Sequence, residues 1–289
     1  MTHSASALFA ILATAAAAQT PYQDKFVTLN GLRIHYLDWG GEGKQPFIML
    51  HGIGRVAHSF DHIAPRFQKD YHVIAMDMRG HGDSAWSPEG AYLVEDYVKD
   101  LHAFVQQLNL RNLVLLGNST GGRVVQVYAG MHPDRMARLI VEDVGPQRPT
   151  EIASAFERRV QQEEKGWASE DELFTSLSGG NIAPELQRNY AHFGSKRRED
   201  GRIVWKRDPN LVKGFVVTDL WQYVSKITCP TIYILGGASN IVPADTQRQL
   251  KEMLPKVEIT VMPKLGHYPH QESPEEYMKI VQAFLAQPR

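Results

Sequence analysis

Six short, nearly continuous apolar runs recur along the chain, at 47–50, 72–75, 113–116, 139–141, 231–235 and 257–262. A strand with one wet face alternates polar and apolar residues, whereas a strand covered on both faces reads as an unbroken apolar run. These six therefore predict a mostly parallel sheet buried between two layers. Stretches with helical spacing separate them, at 58–67, 94–108, 122–131, 244–253 and 274–285. The last opens Ser273-Pro274-Glu275-Glu276, which reads as a capping box with proline in the first helical position. Ahead of the alternation, Phe26–Leu29 and Leu32–Leu37 flank Asn30-Gly31, the signature of a tight hairpin. The pattern implies an α/β fold with a doubly wound, mostly parallel sheet, built from residues 19–145 and 215–289.

The alternation stops between them. Pro146 and Pro149 open an interval with helical spacing at 152–164, 170–177 and 183–191 and no strand-like run of comparable strength. Residues 146–214 are read as a helical cap inserted over the C-terminal edge of the sheet, the alternative being a second small helical domain. Phe156, Trp167, Phe174, Tyr190, Phe193 and Trp205 in this interval suit packing of the cap as well as lining a pocket. The mixed-sign run Lys196–Asp200 reads as a solvated loop.

At 289 residues the chain has room for one large domain or two small ones. Lys and Arg number 31 against 32 Asp and Glu, a net charge of -1, which favours neither nucleic acid nor an acidic membrane surface as partner and points to a small-molecule substrate. The single cysteine, Cys229, leaves no disulfide framework and no CxxC pair; it reads as a packing residue. Ala5–Ala18 has the length and small-residue ending of a secretory signal peptide. Residues 1–4 lack Lys and Arg, which supports a retained N-terminal helix instead. Export to a secreted or periplasmic location is the favoured expectation, a cytoplasmic one the alternative.

The run at 113–116 leads straight into Gly117-Asn118-Ser119-Thr120-Gly121-Gly122 and then a helical stretch. Gly-x-Ser-x-Gly at a strand-to-helix turn is a nucleophile elbow, in which the glycines let strand and helix approach while the serine hydroxyl is lifted above the sheet. A serine needs a hydrogen-bonded base at neutral pH. His267 follows the last apolar run and precedes the last helix, in a loop that opens on the same edge as the elbow. Twelve histidines make any one of them a weak choice by itself, and its place in the alternation singles out His267. The loop His51-Gly52-Ile53-Gly54 leaves the first inner run facing the elbow, so the backbone N–H groups of Ile53 and Thr120 are candidate oxyanion donors. A metal site at His51, His81, His267 and His270 finds no zincin spacing, and the elbow lacks the lysine of a phosphate loop. No metal and no cofactor are expected. Arg55 is read as solvent-facing, although it could contact a substrate carboxylate.

Taken together, the elbow, His51-Gly52, Asp77-Met78-Arg79-Gly80-His81-Gly82-Asp83-Ser84, Glu142-Asp143-Val144-Gly145-Pro146 and Gly266-His267 occur in the order seen in the α/β-hydrolase superfamily, and the chain resembles that family over nearly all of residues 24–287. The resemblance implies a structural role for the Asp77–Ser84 segment and a serine hydrolase of ester-like or lactone substrates. Ser119 in place of aspartate distinguishes the chain from epoxide hydrolases and haloalkane dehalogenases. Carbon–carbon bond hydrolases of the same fold share a similar elbow but carry a longer glycine-rich oxyanion loop. In the family an aspartate after the run at 231–235 orients the histidine, and here that position is Asn240. Three explanations stay open: the acid has moved to Asp143, the strand end that dehalogenases use; the protein is a weakly active or inert hydrolase-like binder; or Asn240 is an engineered trap. Asp245 is a further carboxylate, expected within the next helix.

Overall fold

The computed structural model describes residues 22–148, 150–177 and 181–288. The expected signal peptide lies outside them. Among the described residues there are twelve strands: β1 (Gln23–Leu29), β2 (Leu32–Asp38), β3 (Gln45–Leu50), β4 (Tyr71–Met76), β5 (Leu113–Asn118), β6 (Met136–Glu142), β7 (Gln147–Arg148), β8 (Ser195–Arg197), β9 (Ile203–Trp205), β10 (Thr218–Asp219), β11 (Thr231–Gly236) and β12 (Val257–Met262). The α-helices are α1 (Val94–Gln107), α2 (Thr120–Met131), α3 (Thr150–Glu163), α4 (Glu170–Ser176), α5 (Pro184–Gly194), α6 (Leu211–Gly214), α7 (Trp221–Val224), α8 (Ala244–Met253), α9 (Pro269–Glu272) and α10 (Pro274–Ala286).

Eight strands form one sheet in the order β1-β2-β4-β3-β5-β6-β11-β12. The β1–β2 hairpin is antiparallel and turns at Asn30 (φ 47°) and Gly31 (φ 80°), the left-handed pair that a two-residue hairpin loop needs. From β4 through β12 every neighbouring pair is parallel. The unbroken apolar runs divide between two cores as strand pleating requires. Ile48, Leu50, Leu115, Tyr233 and Leu235 face the layer of α1 and α2, whereas Phe47, Met49, Val114, Leu116, Ile232 and Ile234 face α10. Edge strand β12 departs from the pattern and stays half-exposed.

Two helical expectations differ from the structure. Residues 58–67 form two 3-10 turns, Ala57–Phe60 and Ala64–Phe67, because Pro65 has no N–H to continue an α-helix. At α10, Ser273 makes no side-chain cap; α9 ends directly against it, and its backbone is not in the usual capping conformation.

Between β6 and β11 the chain departs from the sheet. α3, α4 and α5 occur near the helical stretches expected there, and two small antiparallel pairs occur that were not. β7 pairs with β10, and β8 pairs with β9. Runs of two or three residues are too short for periodicity to register. Trp205, Tyr190, Leu173 and Ile203 form a separate small core with Trp167, Phe174 and Phe193 packed on it, so these aromatics hold the insertion together. Among the described residues no helix is long and apolar enough to cross a membrane.

Candidate active site

The C-terminal ends of β3, β5, β6 and β11 converge on one cavity of about 320 Å³, lined by Ile53, Ser119, Val144, Phe156, Phe215 and His267, among others. Ser119 occupies the turn from β5 to α2 with φ 51° and ψ -116°, a strained conformation for a residue with a side chain. Glycines make the turn possible. A β-carbon on Gly117 would lie 2.4 Å from the Gly121 backbone, and one on Gly121 would lie 2.2 Å from the Leu50 carbonyl oxygen. The elbow is also tied to its neighbours, with the Ser119 amide donating to Glu142 at 3.0 Å and the Gly121 amide to His51 at 3.1 Å.

His267 lines the same cavity, and its Nδ1 lies 2.7 Å from Oδ2 of Asp143. Asp143 stands just past the end of β6, with φ 44°. Its carboxylate is 1% exposed and takes two more hydrogen bonds, from the Gly236 amide at 3.0 Å and the Ser239 hydroxyl at 2.6 Å. Burial opposes a charged imidazole, yet the Asp143 hydrogen bond, together with Tyr268 and Glu142, holds the His267 pKa above its ordinary value. Nδ1 donates to the carboxylate, leaving Nε2 as the free base position. The loop carrying His267 is pinned around that residue. Glu272 accepts from the amides of Gly266 (2.7 Å) and Tyr268 (3.1 Å), and Asn118 Nδ2 donates to the His267 carbonyl at 3.1 Å.

Asn240 is placed apart from this arrangement. It is exposed and lines a different groove, with Gly145, Val217, Thr218 and Thr246. Asp245 falls in the first turn of α8, as expected, with its carboxylate on Arg248. Among the described residues neither the Ile53 nor the Thr120 amide donates a backbone hydrogen bond, and Ile53 lines the cavity beside Ser119. His51 is buried, donates from Nδ1 to the Gly52 carbonyl and accepts the Met78 amide on Nε2 (3.1 Å), which fixes the loop that carries Ile53. Burial lowers its pKa, in keeping with an Nε2 that accepts rather than donates.

Residues 77–84, quoted above from the sequence, do not line the cavity. Asp77 accepts from the Ala57 and Asp83 amides and from His35. Arg79 makes a two-pronged ion pair with Asp100 (2.6 and 2.7 Å). His81 is fully buried, and desolvation pushes its pKa down to about 3. Among the described residues two clusters have metal-ligand spacing, His35–Asp77–Asp83 and Asp38–Glu42–His72, and neither includes a residue lining the cavity. In the second, the Lys25 ammonium already sits on Asp38 at 2.7 Å. Arg55 is not solvent-facing as expected: its guanidinium is sandwiched between the rings of Tyr190 (4.1 Å) and Tyr268 (4.2 Å).

Sequence reasoning missed Ser239, Asn118 and Tyr268 as site residues, and it missed the buried pair behind the site. Glu142 Oε1 accepts from both the backbone amide (2.8 Å) and Nδ1 (2.7 Å) of His270. Burial raises the Glu142 pKa well above the carboxylate range and lowers that of His270 to about 3. The only signal was the acidic dipeptide Glu142-Asp143 at a strand end.

A family profile described as the alpha/beta hydrolase fold matches residues 45–274. The chain belongs to that family and is a hydrolase. It is 27% identical over 274 residues to the mouse (Mus musculus) sn-1-specific diacylglycerol lipase ABHD11, covering 89% of this chain and 87% of that one. It is 25% identical over 287 residues to the 2-hydroxy-6-oxo-6-(2'-aminophenyl)hexa-2,4-dienoic acid hydrolase of Metapseudomonas resinovorans, covering 93% of each. In fold it is similar to the crystal structure of E-2-(acetamidomethylene)succinate hydrolase, with a TM-score of 0.85 at 24% identity over 92% of this chain and all of that one.

Proposed function

We propose that this hydrolase cleaves a carboxylic ester or lactone by acyl transfer through Ser119, with His267 as base and Asp143 as the acid that orients it. The observation that carries the reading is the 2.7 Å contact between buried Asp143 Oδ2 and Nδ1 of His267, the histidine that lines one cavity with Ser119. His267 Nε2 takes the Ser119 proton as the oxygen attacks the carbonyl. The imidazolium so formed is stabilised by the Asp143 charge. The Ile53 and Thr120 amides hold the oxyanion, and the imidazolium returns its proton to the departing alkoxide. Water then repeats the sequence, freeing the acid and restoring Ser119. This chemistry requires neither metal nor cofactor. A cavity of about 320 Å³ stands at the small end of ligand sites and suits a small-molecule ester. The insertion at 146–214, supplying Phe156 to the cavity, serves as its cap, with Phe215 just beyond it on the same wall.

The test is hydrolysis of short 4-nitrophenyl esters by the wild type and by Ser119→Ala. Turnover that disappears with the hydroxyl is expected. Absence of wild-type turnover on acyl chains of two to eight carbons and on lactones would favour a carbon–carbon bond hydrolase, whose elbow is similar.

A further inference from the structure

Cationic side chains outnumber carboxylates at the cavity. Arg159 on α3 lines it together with Ser119 and His267. Among the described residues its ion-pair partner is Glu163 at 3.9 Å, beyond hydrogen-bonding reach. Glu163 is in direct contact with Arg207 through its other oxygen. One carboxylate therefore serves two guanidinium groups, and it is Arg159, with its side chain 49% exposed, that is left short.

The location of these groups gives the excess charge a use. A β-carbon on Gly54 would lie 2.9 Å from Arg207 Nη1 and 3.8 Å from Arg159 Nη2, so both guanidinium groups overlie the residue that follows Ile53. Arg55, the next residue, lies over the rings of Tyr190 and Tyr268 and hydrogen-bonds Tyr268, with no carboxylate at ion-pair distance among the described residues. Arg123 lines the cavity too, but its N–H groups go to Pro146, Gln147 and Thr218. Tyr268 registers the resulting field. Burial would push its phenol up, and the charges of Arg55, His267 and Arg159 instead bring it down to about 7. The rest of the wall, Val144, Ala155, Phe156, Phe215 and Ile241, is apolar.

A planar fork of N–H donors on an otherwise apolar wall matches the two oxygens of a carboxylate. We propose that Arg159 anchors a carboxylate carried by the substrate, so that the preferred ester is anionic, with its charge a few atoms from the scissile carbonyl. The proposal rests on the ester reading above. A wholly apolar ester would cover the Arg159 guanidinium without giving it a partner, which is costly for a charged donor.

The test uses two matched pairs followed by pH-stat: monomethyl glutarate against dimethyl glutarate for a charge on the acyl side, and 4-acetoxybenzoate against phenyl acetate for a charge on the alcohol side. In at least one pair the anionic member should have a kcat/KM at least about tenfold higher, the worth of one charge-assisted hydrogen bond. Arg159→Gln should lower that ratio by at least about tenfold, and Arg159→Lys should restore part of it. Preference for the neutral member in both pairs, or a ratio unmoved by Arg159→Gln, overturns the proposal. Should no ester be turned over, calorimetric titration of glutarate into Ser119→Ala and into Ser119→Ala/Arg159→Gln separates the two ideas. Binding that depends on Arg159 keeps the carboxylate anchor while the ester reading falls, and binding that is absent or independent of Arg159 removes the anchor.

Discussion

The end of β6 and the loop after β11 are neighbours in the sheet, and each offers a side chain where an acid could meet the histidine. They are built differently. Asp143 at the end of β6 is buried, receives three hydrogen bonds and reaches Nδ1 of His267. Asn240 after β11 is exposed and turned to another groove. Adjacent strands are ~4.8 Å apart, so moving the acid from one strand end to the other is a lateral step of one strand that leaves the fold untouched. The strand end and loop that lack the acid still contribute, since Gly236, the last residue of β11, and Ser239 in the loop donate to Asp143.

Five measurements test this contrast. Ser119→Ala should reduce kcat by roughly 10⁴–10⁶-fold with the far-ultraviolet circular dichroism unchanged, because neither strand end has anything to serve without the nucleophile. Residual turnover above one per cent, after active-site titration for contaminants, would sink the assignment. Asp143→Asn should cost about 10⁴-fold, the loss expected when the histidine keeps a partner but loses its charge. If that variant keeps most of its turnover, the acid is elsewhere.

The third measurement is the pH profile. Only neutral His267 can take the serine proton. Its pKa is raised by Asp143 against the opposing effect of burial, so the acid limb of kcat/KM should have its midpoint above the ordinary histidine value of about 6.5. Activity is lost as pH falls through that midpoint, and in Asp143→Asn the midpoint should move down. A limb that stays in place would show that Asp143 does not control the imidazole. Ser239→Ala removes one donor from the Asp143 carboxylate and should lower kcat by about fivefold, in line with ~1 kcal/mol for one hydrogen bond. Asn240→Asp should change kcat/KM by no more than about twofold, as for other exposed substitutions. A large gain there would mean that the loop after β11 is the better seat for the acid.

Much of this was legible beforehand. The apolar runs foretold the parallel sheet because burial on both faces leaves a compositional trace that needs no partner to be read. The elbow, the histidine loop and the acidic residue after β6 were likewise written in local residues. What was not legible depended on distant partners. Whether Arg55 meets water or two tyrosines is decided by α5 and by the loop after β12, some 135 and 213 residues further on. Residues 58–67 showed helical spacing, and only the missing N–H of Pro65 divides them into two tight turns. Ser273 had the residues of a cap, but the preceding turn α9 fixes its backbone away from the capping conformation.

The consecutive residues Glu142 and Asp143 grip the loop after β12 at two points, one through the backbone and ring of His270 and the other through the ring of His267. Segments more than a hundred residues apart thus behave as a single transplantable part. Grafting the 265–272 loop from a relative whose acid follows β11 should yield a folded but misaligned hybrid unless residues 142 and 143 are exchanged with it. Substitutions that persist on one side should constrain those accepted on the other.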